Sequence, residues 1–85
     1  MAQYEVFLKE SVWRDVNMIP RTDIWKILAK IEKLADDPRL AGCEKLTEQE
    51  FYRVRQGRYR IAYSIHDNEL TVWIIKIGHR KDVYR

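Results

Sequence analysis

Apolar positions along the chain recur first with a period of two, then with a helical period, then with a period of two again. In QYEVFLK, residues 3–9, Tyr4, Val6 and Leu8 fall on one side and Glu5, Phe7 and Lys9 on the other, which predicts a short first strand. Ser11 then stands where a helix cap would, and Val12, Val16 and Ile19 share one face of a short helix reading VWRDVNMI. Pro20 breaks that helix, and its fixed φ suits the opening turn of the next. Residues 22–37, TDIWKILAKIEKLADD, carry the clearest helical pattern. Ile24, Ile27, Leu28, Ile31, Leu34 and Ala35 form its apolar stripe, which reads as core, and Pro38 ends it.

Residues 39–50 read as a connector. Three strands follow, at about 51–56, 58–66 and 69–77. Gly57 permits the first tight turn, and Asp67 and Asn68, which tolerate left-handed backbone, suit the second. In the last strand Trp73, Ile75 and Ile77 share parity and are expected to face the core. The order β-α-α-β-β-β predicts an α+β fold in one domain over residues 1–85. It is an antiparallel β-sheet with an N-terminal two-helix hairpin packed on one face, and the other face partly open.

Strand parity puts an unusual set of side chains on that open face. Within FYRVRQGRYRIAYSI, Arg53 and Arg55 share one face while Tyr52 and Val54 share the other. In the next strand Arg58 and Arg60 fall together, with Tyr59, Ile61, Tyr63 and Ile65 opposite. Pairing across Gly57 brings the arginine rows together. Like charges opposed across strands repel, so a sheet that keeps them gains something else. The guanidinium fork matches phosphate oxygens, which makes this face a candidate phosphate-binding surface. Arg58, at the turn, reads by itself as a solvated cation. Arg53, Arg55, Arg58, Lys76 and Lys81 together form the set expected to hold the phosphates of a nucleic acid.

Composition sharpens this picture. The 85 residues suit one domain, and 46% hydrophobic residues with three Trp and five Tyr supply a core. Residues 1–50 hold eight Lys/Arg against ten Asp/Glu; residues 51–85 hold eight against three. The basic excess of the second half points to a polyanion partner. Cys43 is the single cysteine, which removes any disulfide framework or Cys-based zinc site and points to a reducing compartment. The first residues carry charges where a signal peptide needs an apolar run, and no apolar stretch is long enough to cross a bilayer. A cytoplasmic location, with no membrane partner, is therefore expected.

The segments DDPRLAGCEKL, FYRVRQ, GRYRIAYSI and IIKIGHRKDVYR together resemble the RelE/ParE superfamily of bacterial and archaeal toxins of toxin–antitoxin pairs. The resemblance covers nearly the whole chain and implies a cognate antitoxin as partner. Its RelE branch implies a ribosome-dependent endonuclease that cuts mRNA in the ribosomal A site, with ribosome and mRNA as further partners. Its ParE branch implies a DNA gyrase inhibitor without the nuclease residues. Arg53 and Arg55 match the pair of basic residues of the RelE branch, as arginines where lysines are often found. Arg60 matches the arginine of the YR step, Arg80 the arginine after the last strand, and Tyr84 the tyrosine of the closing VY. The segment from Gly78 to Tyr84 is shorter than in some members.

The chemistry implied is attack of the RNA's 2′-hydroxyl on the adjacent phosphate, which needs a base, charge stabilisation and a proton for the leaving oxygen. No carboxylate cluster has metal-ligand spacing, and no cofactor or metal is expected. Arg53, Arg60 and Arg80 would neutralise developing charge, and Tyr84 is the candidate base, its ordinary pKa of about 10 lowered by neighbouring arginines. Arg55 or water would assist the leaving group, although arginine is a poor acid. His79 competes as acid or base, but its parity puts it with Trp73, Ile75 and Ile77. Tyr59 and Tyr63 read as core, and His66 as a solvated turn residue. Two alternatives stay open: a gyrase inhibitor, and an RNA-binding module without chemistry.

Overall fold

Alternation does produce a first strand, β1 (Glu5–Leu8), and the helical stripe produces α1 (Glu10–Asn17) and α2 (Arg21–Asp36). They are followed by β2 (Glu44–Lys45), β3 (Phe51–Gln56), β4 (Tyr59–His66), a single 3-10 turn over Asp67–Glu69, and β5 (Thr71–His79). The structure, a computed structural model, describes residues 3–79. The sheet order is β1-β5-β4-β3-β2, with β1 parallel to β5 and every other pair antiparallel. The fold is α+β, as the element order implies.

One hydrophobic core joins the helices to one face of the sheet. Val12, Ile27, Ile31 and Leu34 come from the helices, and Tyr52, Val54, Ile61, Tyr63, Ile65, Val72, Ile74 and Ile77 from β3, β4 and β5. Each fully buried aliphatic side chain stabilises the fold by about 1.5–3 kcal/mol relative to exposure. Tyr63 is wholly buried; its hydroxyl donates to the Pro38 carbonyl at 2.7 Å, which fastens the end of α2 to the sheet. Asp15 of α1 reaches the far half of β5, where Lys76 Nζ donates to its Oδ1 at 3.1 Å.

Several local expectations need correction. The connector contains β2, whose two residues pair with β3 as Glu44↔Arg53 and Lys45↔Tyr52. Ser11 lies inside α1, whose cap is Lys9 without a side-chain bond. Leu28 is 39% exposed, because the α2 stripe narrows to Ile27, Ile31 and Leu34. In the second turn the left-handed residue is Leu70, with φ of 50°, and β5 starts at Thr71. The largest departure is a bulge in β5. Ala62 pairs with Lys76 but Tyr63 pairs with Ile74, so Ile75 is the extra residue. Parity therefore switches within the strand. Val72, Ile74 and Ile77 are buried on the core face, whereas Trp73 and Ile75 are only partly buried and Trp73 stacks on Phe7, ring centroids 5.1 Å apart.

Candidate nucleic-acid interface

No bulge interrupts β3 against β4, so their side chains keep strict alternation. The face away from the core then carries two rows. One reads Glu44, Arg53, Ala62, Lys76 across β2, β3, β4 and β5; the next reads Arg55, Arg60, Gly78. Arg55 and Arg60 stand directly opposite one another. Ala62 beside Arg53 and Gly78 beside Arg60 are small, which leaves room for the guanidinium groups to lie across the sheet. Gly42, Glu44, Arg53, Val54, Arg55 and Arg60 line a cleft of about 250 Å³. Three guanidinium groups against one carboxylate leave an excess of positive charge there.

The arginines are held differently. Arg53 is only 7% exposed, and its Nη2 donates to Glu44 Oε2 at 2.8 Å. Arg60 is partly buried, and Arg55 projects into solvent and forms no ion pair among the described residues. A buried, braced arginine next to an exposed one can bind a phosphate from two sides, in the bidentate geometry guanidinium favours.

The remaining candidates lie elsewhere. Arg58 does not share the face of Arg60; the turn at Gly57, with φ of 60°, interrupts strand alternation there. It lines a separate cleft of about 350 Å³ with Pro20, Asp23, Lys26 and Tyr59 at the start of α2. Lys76 is on the arginine face, one strand beyond Ala62, with its ammonium engaged by Asp15. His79 pairs with Tyr59, and the two rings meet edge to face at 6.3 Å, so His79 is on the side of Ile77 and not with Trp73 or Ile75. Arg80, Lys81 and Tyr84 lie outside the described residues. Burial and a bond to Asp23 raise the Tyr59 phenol, and burial raises that of Tyr63, so both stay protonated near neutrality.

Glu44 and Gly42 belong to the cleft although residues 39–50 read as plain connector. Gly42 has φ of 95°, where any other residue is strained, but a two-residue strand carries no periodic signal that would have marked Glu44 in the sequence. The connector is anchored by Arg39. Its Nη1 and Nη2 donate to the two carboxylate oxygens of Asp67 at 3.1 and 2.7 Å, and its Nε donates to the Tyr52 hydroxyl at 3.2 Å. Glu50 pairs with Arg39 and, at 2.9 Å, with Lys45 of β2. Arg39 and the Tyr4 hydroxyl hold the Asp67 carboxyl down to about 2.

This fold and this sequence have known relatives. Residues 8–84 match the family described as ParE toxin of type II toxin–antitoxin system, parDE. Toxin RelG of Mycobacterium tuberculosis is 44% identical over 90 residues, covering 96% of this chain and 97% of that protein. The toxin–antitoxin complex RelBE2 of the same organism contains a chain with TM-score 0.81 and 27% identity, covering 96% of this chain and 97% of that one. A chain of the archaeal RelE–RelB complex from Pyrococcus horikoshii has TM-score 0.81 at 22% identity, with 95% of this chain and 99% of that one covered, a likeness of fold. The chain belongs to the RelE/ParE superfamily and is a toxin of a type II toxin–antitoxin system.

Proposed function

We propose that the protein is a ribosome-dependent endoribonuclease that cuts mRNA in the A site by attack of the RNA's own 2′-hydroxyl, without a cofactor. The observation that supports this most is the convergence of Arg53, Arg55 and Arg60 on one cleft of the open sheet face. In-line attack builds negative charge on the phosphate oxygens. Preorganised guanidinium donors stabilise that charge, and losing one such donor typically costs about a hundred- to a thousandfold in rate. Tyr84, assigned from the family likeness, takes the 2′-hydroxyl proton. The P–O5′ bond breaks as the 2′-oxygen bonds to phosphorus, and water beside Arg55 protonates the leaving 5′-oxygen. Arg80 adds charge on the same likeness. A tyrosine base is slow unless its substrate is well positioned, and the ribosome supplies that positioning.

On this reading the protein acts in the cytoplasm, where translated mRNA is found, and a cognate antitoxin holds it inactive. Trp13, Met18 and Trp25, on and beside the helical hairpin, are largely exposed, the kind of apolar surface a partner covers. A second reading, a gyrase inhibitor, is favoured by the ParE description of the matching family. The arginine cleft favours the first. Mapping of mRNA 5′ ends after brief expression separates them. New ends within translated codons support the nuclease; intact mRNA with gyrase stalled on DNA supports the inhibitor, and intact mRNA bound to the protein supports a binding module.

A further inference from the structure

A cleft built for phosphate has no electrostatic use for a carboxylate, yet Glu44 is in its lining, the one carboxylate among the described residues there. Its own position is deliberate in structural terms. The two-residue strand β2 is fixed at each residue by a side chain: Glu44 to Arg53 at 2.8 Å, and Lys45 to Glu50 at 2.9 Å. The backbone adds the β2–β3 ladder and a bond from Leu46 N to the Phe51 carbonyl at 2.8 Å. The ion pair is also lopsided. The Arg53 side chain is 8% exposed, whereas that of Glu44 is 64% exposed. An arginine sunk in the sheet thus has its fork held from the rim of the cleft.

We propose that Glu44 is a positioning residue: it fixes the angle at which the Arg53 fork meets the scissile phosphate, and it does so while weakening phosphate binding. This rests on the endonuclease reading. A guanidinium has five N–H donors in one plane, so a carboxylate at one corner sets the orientation of the rest. The carboxylate also repels the phosphate that the arginines attract. Binding and chemistry should therefore respond to its removal with opposite sign, which a purely structural residue does not produce.

Glu44→Gln and Glu44→Ala test this together, because both remove the charge and only Gln keeps an acceptor for Arg53. Binding is read with a 2′-deoxy-substituted mRNA on ribosomes, which cannot be cut, across a salt series; cleavage is read in single turnover, and thermal melts establish that each variant is folded. Both variants should bind more tightly than wild type, with a salt slope steeper by about one. Glu44→Gln should cleave within about threefold of wild type, and Glu44→Ala about ten- to a hundredfold more slowly, the scale of a misplaced catalytic contact. Equal rates in all three proteins, or equal loss in both variants, overturn the positioning role while leaving the nuclease intact. A wild type that cuts nothing overturns the nuclease reading and this role with it.

Discussion

Replacing Arg55 by Gln should make the protein more stable and poorer at holding RNA. Arg55 is exposed and lies directly across the β3–β4 ladder from Arg60. Cross-strand pairs of this kind are worth about 0.2–1 kcal/mol, with like charges on the unfavourable side. In a domain of this size about 1 kcal/mol moves Tm by about 4–8 °C, so the substitution should raise Tm by about 1–8 °C at low salt. In about 1 M salt the Debye length falls to about 3 Å, and the gain should shrink. Gln is shorter but polar and uncharged, and Arg55 is exposed, so loss of charge is the main change for stability. RNA binding should weaken, and its dependence on log salt should lose about one phosphate's worth of slope. Thermal denaturation at two salt concentrations and filter binding across a salt series measure both. A Tm that falls, a gain that survives high salt, or an unchanged salt slope would refute the idea that this sheet keeps opposed arginines for phosphate.

Three further outcomes follow from other parts of the structure. Tyr63→Phe leaves the buried Pro38 carbonyl without its donor and should cost about 1–3 kcal/mol; an unchanged denaturant midpoint contradicts this. Asp67, with its carboxyl lowered from 3.8 to about 2 by Arg39 and Tyr4, stabilises the fold above its unfolded value and loses that contribution as pH falls through about 2. Asp67→Asn should therefore flatten the stability profile between about pH 5 and pH 2, as read from denaturant midpoints; a profile matching wild type rules the linkage out. Tyr84→Phe removes one hydroxyl and should slow single-turnover mRNA cleavage by about a hundred- to ten-thousandfold while ribosome binding persists; cleavage at the wild-type rate removes Tyr84 as base and turns attention to His79.

What the sequence reveals depends on how far each signal reaches. The arginine rows were legible because β3 and β4 are continuous, strictly alternating and joined across Gly57. The β5 core was misread because a single extra residue, Ile75, moves Trp73 off the buried face and puts Ile74 on it. The four consecutive apolar residues 72–75 offer no alternation that would locate the bulge. β2 is too short for any period, so Glu44 became a site residue only when the ladder set it beside Arg53. Arg58 looked like part of the arginine row because alternation was carried through a turn that interrupts it. Ser11 looked like a cap because its side chain suits one, but β1 ends early enough for the helix to begin at Glu10.

The most direct measurement is single-turnover cleavage of ribosome-bound mRNA by the wild type and by Arg60→Ala. Arg60 is opposite Arg55 within the same cleft, and it carries the proposed charge stabilisation. The wild type should cut within the A-site codon, and Arg60→Ala should cut about a hundred- to a thousandfold more slowly, with a smaller loss of binding. Equal cleavage rates for the two proteins, or no cleavage by either, would contradict the claim that this arginine face is a catalytic surface for RNA.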